Sequence, residues 1–229
     1  MNTRVFKITA KTNLHVGNES GGDFTIIDKA IQRDPLTGLP CINSSSLKGA
    51  INEFCSNSIN MPANERKRLF GSDKLDKESQ PKKGEAIFFD AKLLFLPQQD
   101  DNTLYHYATT QDIVRLMNER IALLGSNIRF QPPAQYPEGD KAKTVEIVEA
   151  KEMEKICSDD NLPIIARNVL DNGESKNLWY EQVLPAETVL YTIIQEEGEV
   201  LAKALNNHIV QIGANATIGY GYCLFELMK

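Results

Sequence analysis

Apolar and polar residues alternate at the start of the chain and then recur at helical spacing. The stretch 4–12 carries apolar residues at every second position, which predicts a strand with one buried face. In 46–57 the apolar residues lie three and four positions apart, which predicts an amphipathic helix. Ser44, Ser45 and Ser46 lie at its start, and each is a candidate N-cap because serine is common at that position.

The rest of the chain alternates between the same two patterns. A short helix is predicted at 63–70, and the near-continuous apolar run at 85–97 predicts a central strand buried on both faces. Thr109 or Thr110 is the predicted cap of a further helix that ends at Leu124. Additional strands are predicted at 144–148, 188–194, 209–212 and 218–227, with a helix at 200–207. This order favours an α+β fold.

A hairpin signal lies between positions 167 and 180. Asp171, Asn172 and Gly173 separate two apolar pieces, and Asn-Gly is a strong signal for a two-residue turn between antiparallel strands. The apolar residues nearest to this turn are Val169, Leu170 and Leu178.

Composition and charge narrow the class of protein. The chain has 229 residues, 41% of them apolar and 24% charged, which is ordinary for a globular domain. No run of about 18 apolar residues occurs and the start has no signal-peptide core, so we expect a cytoplasmic protein without a membrane partner. The net charge of −6 argues mildly against nucleic-acid binding, but phosphate contacts need only a local basic stripe. The four cysteines and three histidines are scattered, which argues against a structural zinc site.

Two short motifs are rejected because their contexts are absent. Ser45 and Lys48 match the S-x-x-K motif of penicillin-recognising enzymes, but the companion S-D-N and K-T-G motifs do not occur. Gly219 and Gly221 suggest a dinucleotide-binding loop, yet a predicted strand follows where that motif requires a helix.

The segment 44–49 allows two interpretations. Helix N-termini expose unpaired N–H groups and a partial positive charge, so phosphates bind there readily. The three serine hydroxyls and Lys48 would add donors and charge, and Gly49 would leave the first turn bare for a phosphate backbone. On these residues alone, an ordinary helix cap is the simpler interpretation.

Single residues elsewhere carry little information by themselves. Asp28 and His15 flank a glycine-rich loop, and Arg33 is a basic residue nearby, but each type is more often solvated or structural than functional. Trp179 is expected in the core or along the hairpin flank.

Four longer segments are more informative together than any one alone. They are LHVGNESGGDFTIIDKAIQRDPLTGLPCINSSSLKGAI at 14–51, FFDAKLLFLP at 88–97, LWYEQVLPAETVLY at 178–191 and QIGANATIGYGYC at 211–223. In this order they resemble the RAMP superfamily of CRISPR proteins. In particular, the chain is similar to the backbone, RNA-cleaving subunit of type III-B, or Cmr-type, effector complexes.

The resemblance implies a fold and a mode of action. The fold would be a modified RRM-like (ferredoxin-like) core in a single domain over 1–229, with insertions at about 98–155 and a β-hairpin thumb at about 163–182. Copies would stack head to tail along CRISPR RNA, together with other type III effector subunits. Each copy would kink the guide–target duplex with its thumb and cleave the target RNA at regular intervals with a divalent metal, which we expect to be Mg²⁺.

The resemblance also implies site residues. Asp28 corresponds to the catalytic loop aspartate and is the expected metal ligand, and we add His15 and Glu181 as candidate helpers. The RNA-binding candidates are Ser44, Ser45, Ser46, Lys48, Gly49, Arg33, Arg167, Gly213, Gly219 and Gly221, and Lys29 would join the basic residues along the groove. The thumb candidates are Val169, Leu170, Asp171, Asn172, Gly173 and Leu178.

Two alternative functions stay open. The chain could be a non-catalytic structural backbone subunit of a related type III complex, in which case Asp28→Ala would change no cleavage. It could also be a CRISPR RNA-processing endoribonuclease, in which case the purified chain would cut precursor RNA without partners.

Overall fold

The computed structural model describes residues 1–17, 27–72, 82–137 and 142–229. The strands are β1 Asn2–Ala10, β2 Cys41–Ile42, β3 Ile87–Phe88, β4 Ala91–Asp100, β5 Leu104–Thr109, β6 Gln135–Tyr136, β7 Lys143–Ile147, β8 Ile164–Asp171, β9 Glu174–Gln182, β10 Val189–Glu196, β11 His208–Gln211 and β12 Tyr222–Leu227. The helices are α1 Ser44–Asn57, α2 Ala63–Phe70, α3 Gln111–Leu123, α4 Ala150–Ile156 and α5 Val200–Leu205, and a 3-10 turn spans Ala216–Ile218.

Four strands and two helices form a ferredoxin-like core. β12, β1, β10 and β4 are neighbours in that order, and their pairings are antiparallel. Along the chain the core reads β1, α1, β4, β10, α5 and β12, which is the β-α-β-β-α-β pattern of ferredoxin-like folds. The predicted α+β class with an RRM-like core is therefore confirmed. β11 extends the sheet beyond β12, and β5, β7 and β6 extend it beyond β4.

The first strand is buried more deeply than its alternating pattern predicts. Val5 and Phe6 point to opposite faces of β1 and both are fully buried, as are Ile8 and Ala10. β1 lies in the middle of the sheet, between β10 and β12, and Phe6 packs edge-on against Phe225 with ring centroids 6.1 Å apart. The prediction of a single buried face is therefore wrong for the second half of the strand.

The predicted central strand at 85–97 is two strands. β3 and β4 are separated by Phe89 and Asp90, and both strands pair with β10. The Asp90 carboxylate accepts hydrogen bonds from the Ser44 N–H at 2.8 Å and the Lys92 ammonium at 2.9 Å. The interruption thus places a carboxylate where it can bind groups on other elements.

The region between β4 and the hairpin contains elements that the patterns did not indicate. β5 and α4 were not predicted, whereas α3 begins as expected, with the Thr110 hydroxyl accepting a hydrogen bond from the Ile113 N–H at 3.1 Å. Thr110, and not Thr109, is the cap, because Thr109 is the last residue of β5. The short α4 has only one buried residue, Met153, and so carries little helical periodicity. The insertion boundaries at about 98–155 stay a prediction.

A two-stranded hairpin is separate from the main sheet. β8 and β9 pair antiparallel, and their turn contains Asn172 at φ 50° and Gly173 at φ 85°. Two successive residues with positive φ favour Asn-Gly, so the hairpin signal at Asp171–Gly173 is confirmed. The side chain of Leu170 lies outside the described part of the structure.

Candidate functional site

Asp28 is attached to the base of the hairpin. Its Oδ2 accepts a hydrogen bond from the Tyr180 N–H at 2.7 Å, and its own N–H donates to the Tyr180 carbonyl at 3.1 Å. Lys29 continues this pairing, because its carbonyl accepts the Gln182 N–H at 2.9 Å. Asp28 is exposed, and among the described residues no group donates to Oδ1. The carboxylate is therefore fixed through one oxygen, and the described part of the chain leaves the other oxygen open.

A buried carboxylate lies next to this anchor, on the same strand. Glu181 is 1% exposed and accepts hydrogen bonds from the Lys29 ammonium at 3.0 Å, the Trp179 indole N–H at 2.9 Å and the Asn215 amide at 2.8 Å. Arg167 approaches its Oε2 to 3.6 Å. Burial acts to raise the pKa of Glu181, but the hydrogen bonds from Trp179, Lys29 and Asn215 outweigh burial and lower it. This position suits holding neighbouring groups in place better than contact with RNA.

His15 is also buried, next to the end of β9. Its Nδ1 donates to the Gln182 carbonyl at 2.7 Å, and its own carbonyl accepts the Ala214 N–H at 3.0 Å. Gly213 has φ +81°, and a Cβ there would lie 2.2 Å from the His15 carbonyl oxygen, so no larger residue fits. The glycine-rich loop 213–221 is therefore packed against the segment that carries His15.

The N-terminus of α1 is not capped by a serine, contrary to the prediction. Asn43 occupies the N-cap position without a side-chain bond, and Asp90 accepts the Ser44 N–H. The N–H groups of Ser45 and Ser46 have no acceptor within the described ranges. Asp90 satisfies the first donor and adds negative charge, so fewer groups stay open to an anion than the sequence predicted.

Gln32 connects the Asp28 segment to this helix. Its Oε1 accepts the Asn43 N–H at 2.7 Å, and its Nε2 donates to the Ser46 hydroxyl at 3.1 Å and the Gly17 carbonyl at 3.2 Å. Gln32 is four positions after Asp28, and an extended chain spans at most about 3.6 Å per residue, so their Cα atoms lie within about 14 Å. The carboxylate and the helix N-terminus therefore lie along one continuous segment.

Most of the basic residues predicted to line a groove already have acidic partners. Lys29 and Arg167 face Glu181, and Arg33 pairs with Asp159 at 2.7 Å. Lys48 has no carboxylate within ion-pair distance in the part of the chain that the structure describes. The neighbouring residue, Gly49, is exposed, and a Cβ there would meet no atom within 4 Å. Lys48 is thus the cation of this group most available to a phosphate.

The apolar residues of the hairpin point to opposite faces. Val169 is opposite Asn177, and Leu178 is opposite Asn168, so the two apolar side chains lie on different sides of the ribbon. They are 48% and 52% exposed. Because they do not share a face, Val169 and Leu178 cannot form one wedge on the same side of the ribbon, and which of the candidate residues inserts between bases stays a prediction.

The acidic and histidine side chains offer little for a metal ion. Within 1–17, 27–72, 82–137 and 142–229, no three His, Cys, Asp or Glu side chains are grouped closely enough to hold one. Mg²⁺ is often bound by one or two carboxylates together with substrate phosphates. The open oxygen of Asp28 fits such an ion only if RNA supplies further ligands.

Sequence reasoning missed two residues that connect the site, Gln32 and Asn215. Gln32 lies inside the recognised segment, and its buried amide gave no signal of its own. Asn215 has φ 68°, and an asparagine within a glycine-rich loop is a sequence signal for a left-handed residue that could have drawn attention to it.

Together, the ferredoxin-like core, the separate hairpin and the packed glycine-rich loop define a class of α+β proteins with an RRM-like core. The chain belongs to the RAMP superfamily, whose family model matches residues 7–224. It is 25% identical over 279 aligned positions to the CRISPR system Cmr endoribonuclease Cmr4 of Pyrococcus furiosus. That alignment covers 95% of this chain and 93% of the relative.

Solved structures share the fold over almost the entire chain. A cryo-EM structure of type III-B Cmr-beta bound to cognate target RNA contains a chain with a TM-score of 0.72 and 21% identity, covering 99% of this chain and 97% of that one. The crystal structure of oligomeric Cmr4 from Pyrococcus furiosus has a TM-score of 0.70 and 17% identity, covering 99% and 98%. In the described residues, no helix is both long and apolar enough to span a membrane.

Proposed function

We propose that this protein is the backbone, target-RNA-cleaving subunit of a type III-B CRISPR effector complex. One observation carries the proposal: the segment 28–33 joins the exposed Asp28 carboxylate, the base of the hairpin and the N-terminus of α1. The relative named Cmr endoribonuclease Cmr4 aligns with nearly the whole chain, and its name supplies the reaction class.

The N-terminus of α1 would hold phosphates of the CRISPR RNA. The open groups there are the N–H groups of Ser45 and Ser46 and the Lys48 ammonium, beside the bare surface at Gly49. Phosphate contacts position an RNA without reading its sequence. This suits a subunit whose target is chosen by base pairing between guide and target. Arg33 and Arg167 would contribute only by exchanging carboxylate partners for phosphates.

The Asp28 carboxylate would act on the target RNA beside the hairpin. Attack of a 2′-hydroxyl on the neighbouring phosphate requires the leaving 5′ oxygen to be in line, and a stacked A-form strand prevents this alignment. Unstacking a base costs a few kcal/mol and would release the nucleotide towards the hairpin base. Asp28 Oδ1 would then accept the hydroxyl proton while Oδ2 stays on the Tyr180 N–H. The products would be a 2′,3′-cyclic phosphate and a 5′-hydroxyl, whose oxygen would take up a proton from water as the P–O5′ bond breaks.

Alternatively, the open Asp28 oxygen would hold a magnesium ion with RNA phosphates as further ligands, and that ion would neutralise charge on the scissile phosphate. The role of the chain is to present the open Asp28 oxygen at a fixed distance from the hairpin, through the two hydrogen bonds to Tyr180.

The partners would be CRISPR RNA, target RNA, further copies of the chain and other type III subunits. A head-to-tail contact uses two different surfaces, so it generates an open filament when its rotation does not close into a ring. The fold similarity to oligomeric Cmr4 supports this arrangement.

The test is reconstitution with the other complex subunits, a guide RNA and an end-labelled complementary target. We expect cuts at regular intervals, no cutting of a non-complementary target, and loss of an individual cut when that site carries a 2′-deoxynucleotide. A fully assembled complex that leaves the target whole would identify a structural subunit instead. Cutting of precursor RNA by the purified chain alone would identify a processing enzyme.

A further inference from the structure

We infer that Asn215 is a positioning residue that holds Asp28 in register with the hairpin through the buried carboxylate of Glu181. The inference rests on the proposed function, because it concerns where that function cuts RNA. Asn215 donates its amide N–H to Glu181 Oε2 at 2.8 Å, across 34 positions of sequence. This bond joins the glycine-rich loop to the base of β9.

The glycine-rich loop holds the backbone of Asn215 in a fixed position. Asn215 has φ 68°, and its carbonyl accepts the N–H groups of Ile218 at 3.1 Å and Tyr220 at 3.2 Å. The same loop is packed against the His15 carbonyl at Gly213, where even a Cβ would clash. The backbone of Asn215 is therefore fixed independently of its side chain. The side-chain amide then holds Glu181 at a fixed distance from this loop.

Glu181 holds Asp28 in place through two connections. Its Oε1 accepts from Lys29, the residue after Asp28, and its own backbone follows Tyr180, whose N–H and carbonyl both bond to Asp28. Glu181 is 1% exposed, so it does not reach RNA itself. Its effect on cleavage must pass through the residues that it holds.

Loss of the Asn215 amide would leave Oε2 with Arg167 at 3.6 Å, which is too long for a hydrogen bond. A carboxylate in place of that amide would lie about 2.8 Å from Glu181 and repel it. Either change would let the end of β9 shift relative to the loop. A misplacement of about 1 Å can reduce a reaction rate on the order of 10²-fold.

Two variants distinguish the effect of the Asn215–Glu181 hydrogen bond from the effect of the Asn215 backbone conformation. Asn215→Gly keeps the left-handed conformation, which glycine adopts freely, and removes only the amide. Asn215→Asp keeps the size and the turn tendency but reverses the interaction with Glu181. Asn60→Asp is the matched control, because Asn60 is exposed at φ 54° and its side chain makes no hydrogen bond within the described residues.

The first readout is direct and needs no RNA. Trp179 is the only tryptophan in the chain, and its indole N–H donates to Glu181, so its fluorescence reports on this cluster. We expect Asn215→Asp to change the emission and to raise the acrylamide quenching of Trp179 in the free chain. Asn215→Gly should produce a smaller change in the same direction, and Asn60→Asp should match the wild type.

The second readout uses the reconstituted complex and maps target cleavage to the nucleotide. For Asn215→Asp we expect a single-turnover rate reduced on the order of 10²-fold, cuts spread to neighbouring nucleotides and unchanged target affinity. Equal loss of affinity and rate, or cutting identical to wild type, would overturn the inference. Unchanged Trp179 fluorescence would overturn it as well. A wild-type complex that does not cut would contradict the proposed function, while the Trp179 measurement would still decide whether Asn215 holds the cluster.

Discussion

Asp34 directly follows the segment 28–33 that carries Asp28, and its removal should destabilise the protein by an amount that depends on pH. Its Oδ1 accepts the N–H groups of Leu36 and Thr37, both at 2.9 Å, and its Oδ2 accepts the Lys92 ammonium at 2.5 Å. The side chain is only 7% exposed. The proposed perturbation is Asp34→Asn, which keeps the size but loses the charge.

The magnitude follows from the pKa of Asp34. Burial acts to raise this pKa, but the Lys92 hydrogen bond and the backbone N–H groups of Thr37 and Leu36 outweigh burial and lower it from 3.8 to about 2. That difference corresponds to about 2 kcal/mol of folding stability. Because the pKa is lower in the folded state, the contribution is complete above about pH 4 and is lost as the pH falls towards about 2.

The assay is urea unfolding of both proteins, followed by Trp179 fluorescence between pH 7 and pH 2.5. At pH 7 we expect the variant to be less stable by about 2 kcal/mol, or about 4–8 °C in melting temperature for a chain of this size. The difference should shrink below about pH 4, because the wild-type carboxylate then takes up a proton. Equal stability at pH 7, or a difference that is the same at both ends of the pH range, would refute the reasoning.

Three further predictions concern packing, RNA binding and metal. Gly213→Ala should destabilise the fold more than Gly219→Ala in urea unfolding: both positions have positive φ, which costs about 1–2 kcal/mol for alanine, but only Gly213 abuts the His15 carbonyl. Equal losses would contradict this packing. Lys48→Ala should weaken guide-RNA binding and reduce the slope of log binding constant against log salt concentration by about 1. Lys151→Ala, on exposed α4, should change neither quantity. Equal slopes for the wild type and Lys48→Ala would show that Lys48 does not contact the RNA. EDTA should stop target cleavage without releasing RNA, and Mg²⁺ should restore it; undiminished cutting in EDTA would exclude the metal.

The features that could be predicted from sequence are those with local signals. The apolar spacing of α1 indicated the helix to within two residues of its start, and Gly71 marked the end of α2 at Phe70. The Asp-Asn-Gly turn was recognisable because the required positive φ angles depend on the turn residues alone.

The features that could not be predicted depend on distant partners. The acceptor for the first N–H of α1 is Asp90, 46 positions from Ser44, and the pattern at 85–97 reads as one uninterrupted strand. The Glu181 cluster combines Lys29, Trp179 and Asn215 from three parts of the chain. A single sequence does not show which distant donor meets which acceptor, because that depends on how strands and loops pack.

Asp28 shows the same division. Its assignment came from the resemblance of the 14–51 segment, whereas spacing alone gave an ordinary loop carboxylate. Neither the resemblance nor the spacing could predict its hydrogen bond to Tyr180. That bond depends on how the base of the hairpin packs against residue 28 in the folded chain. The structure adds the hydrogen bond that fixes one of its oxygens, while no donor to the other oxygen occurs among the described residues.

The most direct test of this account is single-turnover cleavage of a guide-matched target by complexes containing wild-type chain or Asp28→Asn. The asparagine keeps an oxygen for the Tyr180 N–H but lacks the carboxylate, so assembly and target affinity should be unchanged. We predict a fall in cleavage rate of about 10²–10⁴-fold, the range typical for loss of a general base. Cutting by Asp28→Asn at the wild-type rate and positions would contradict the account.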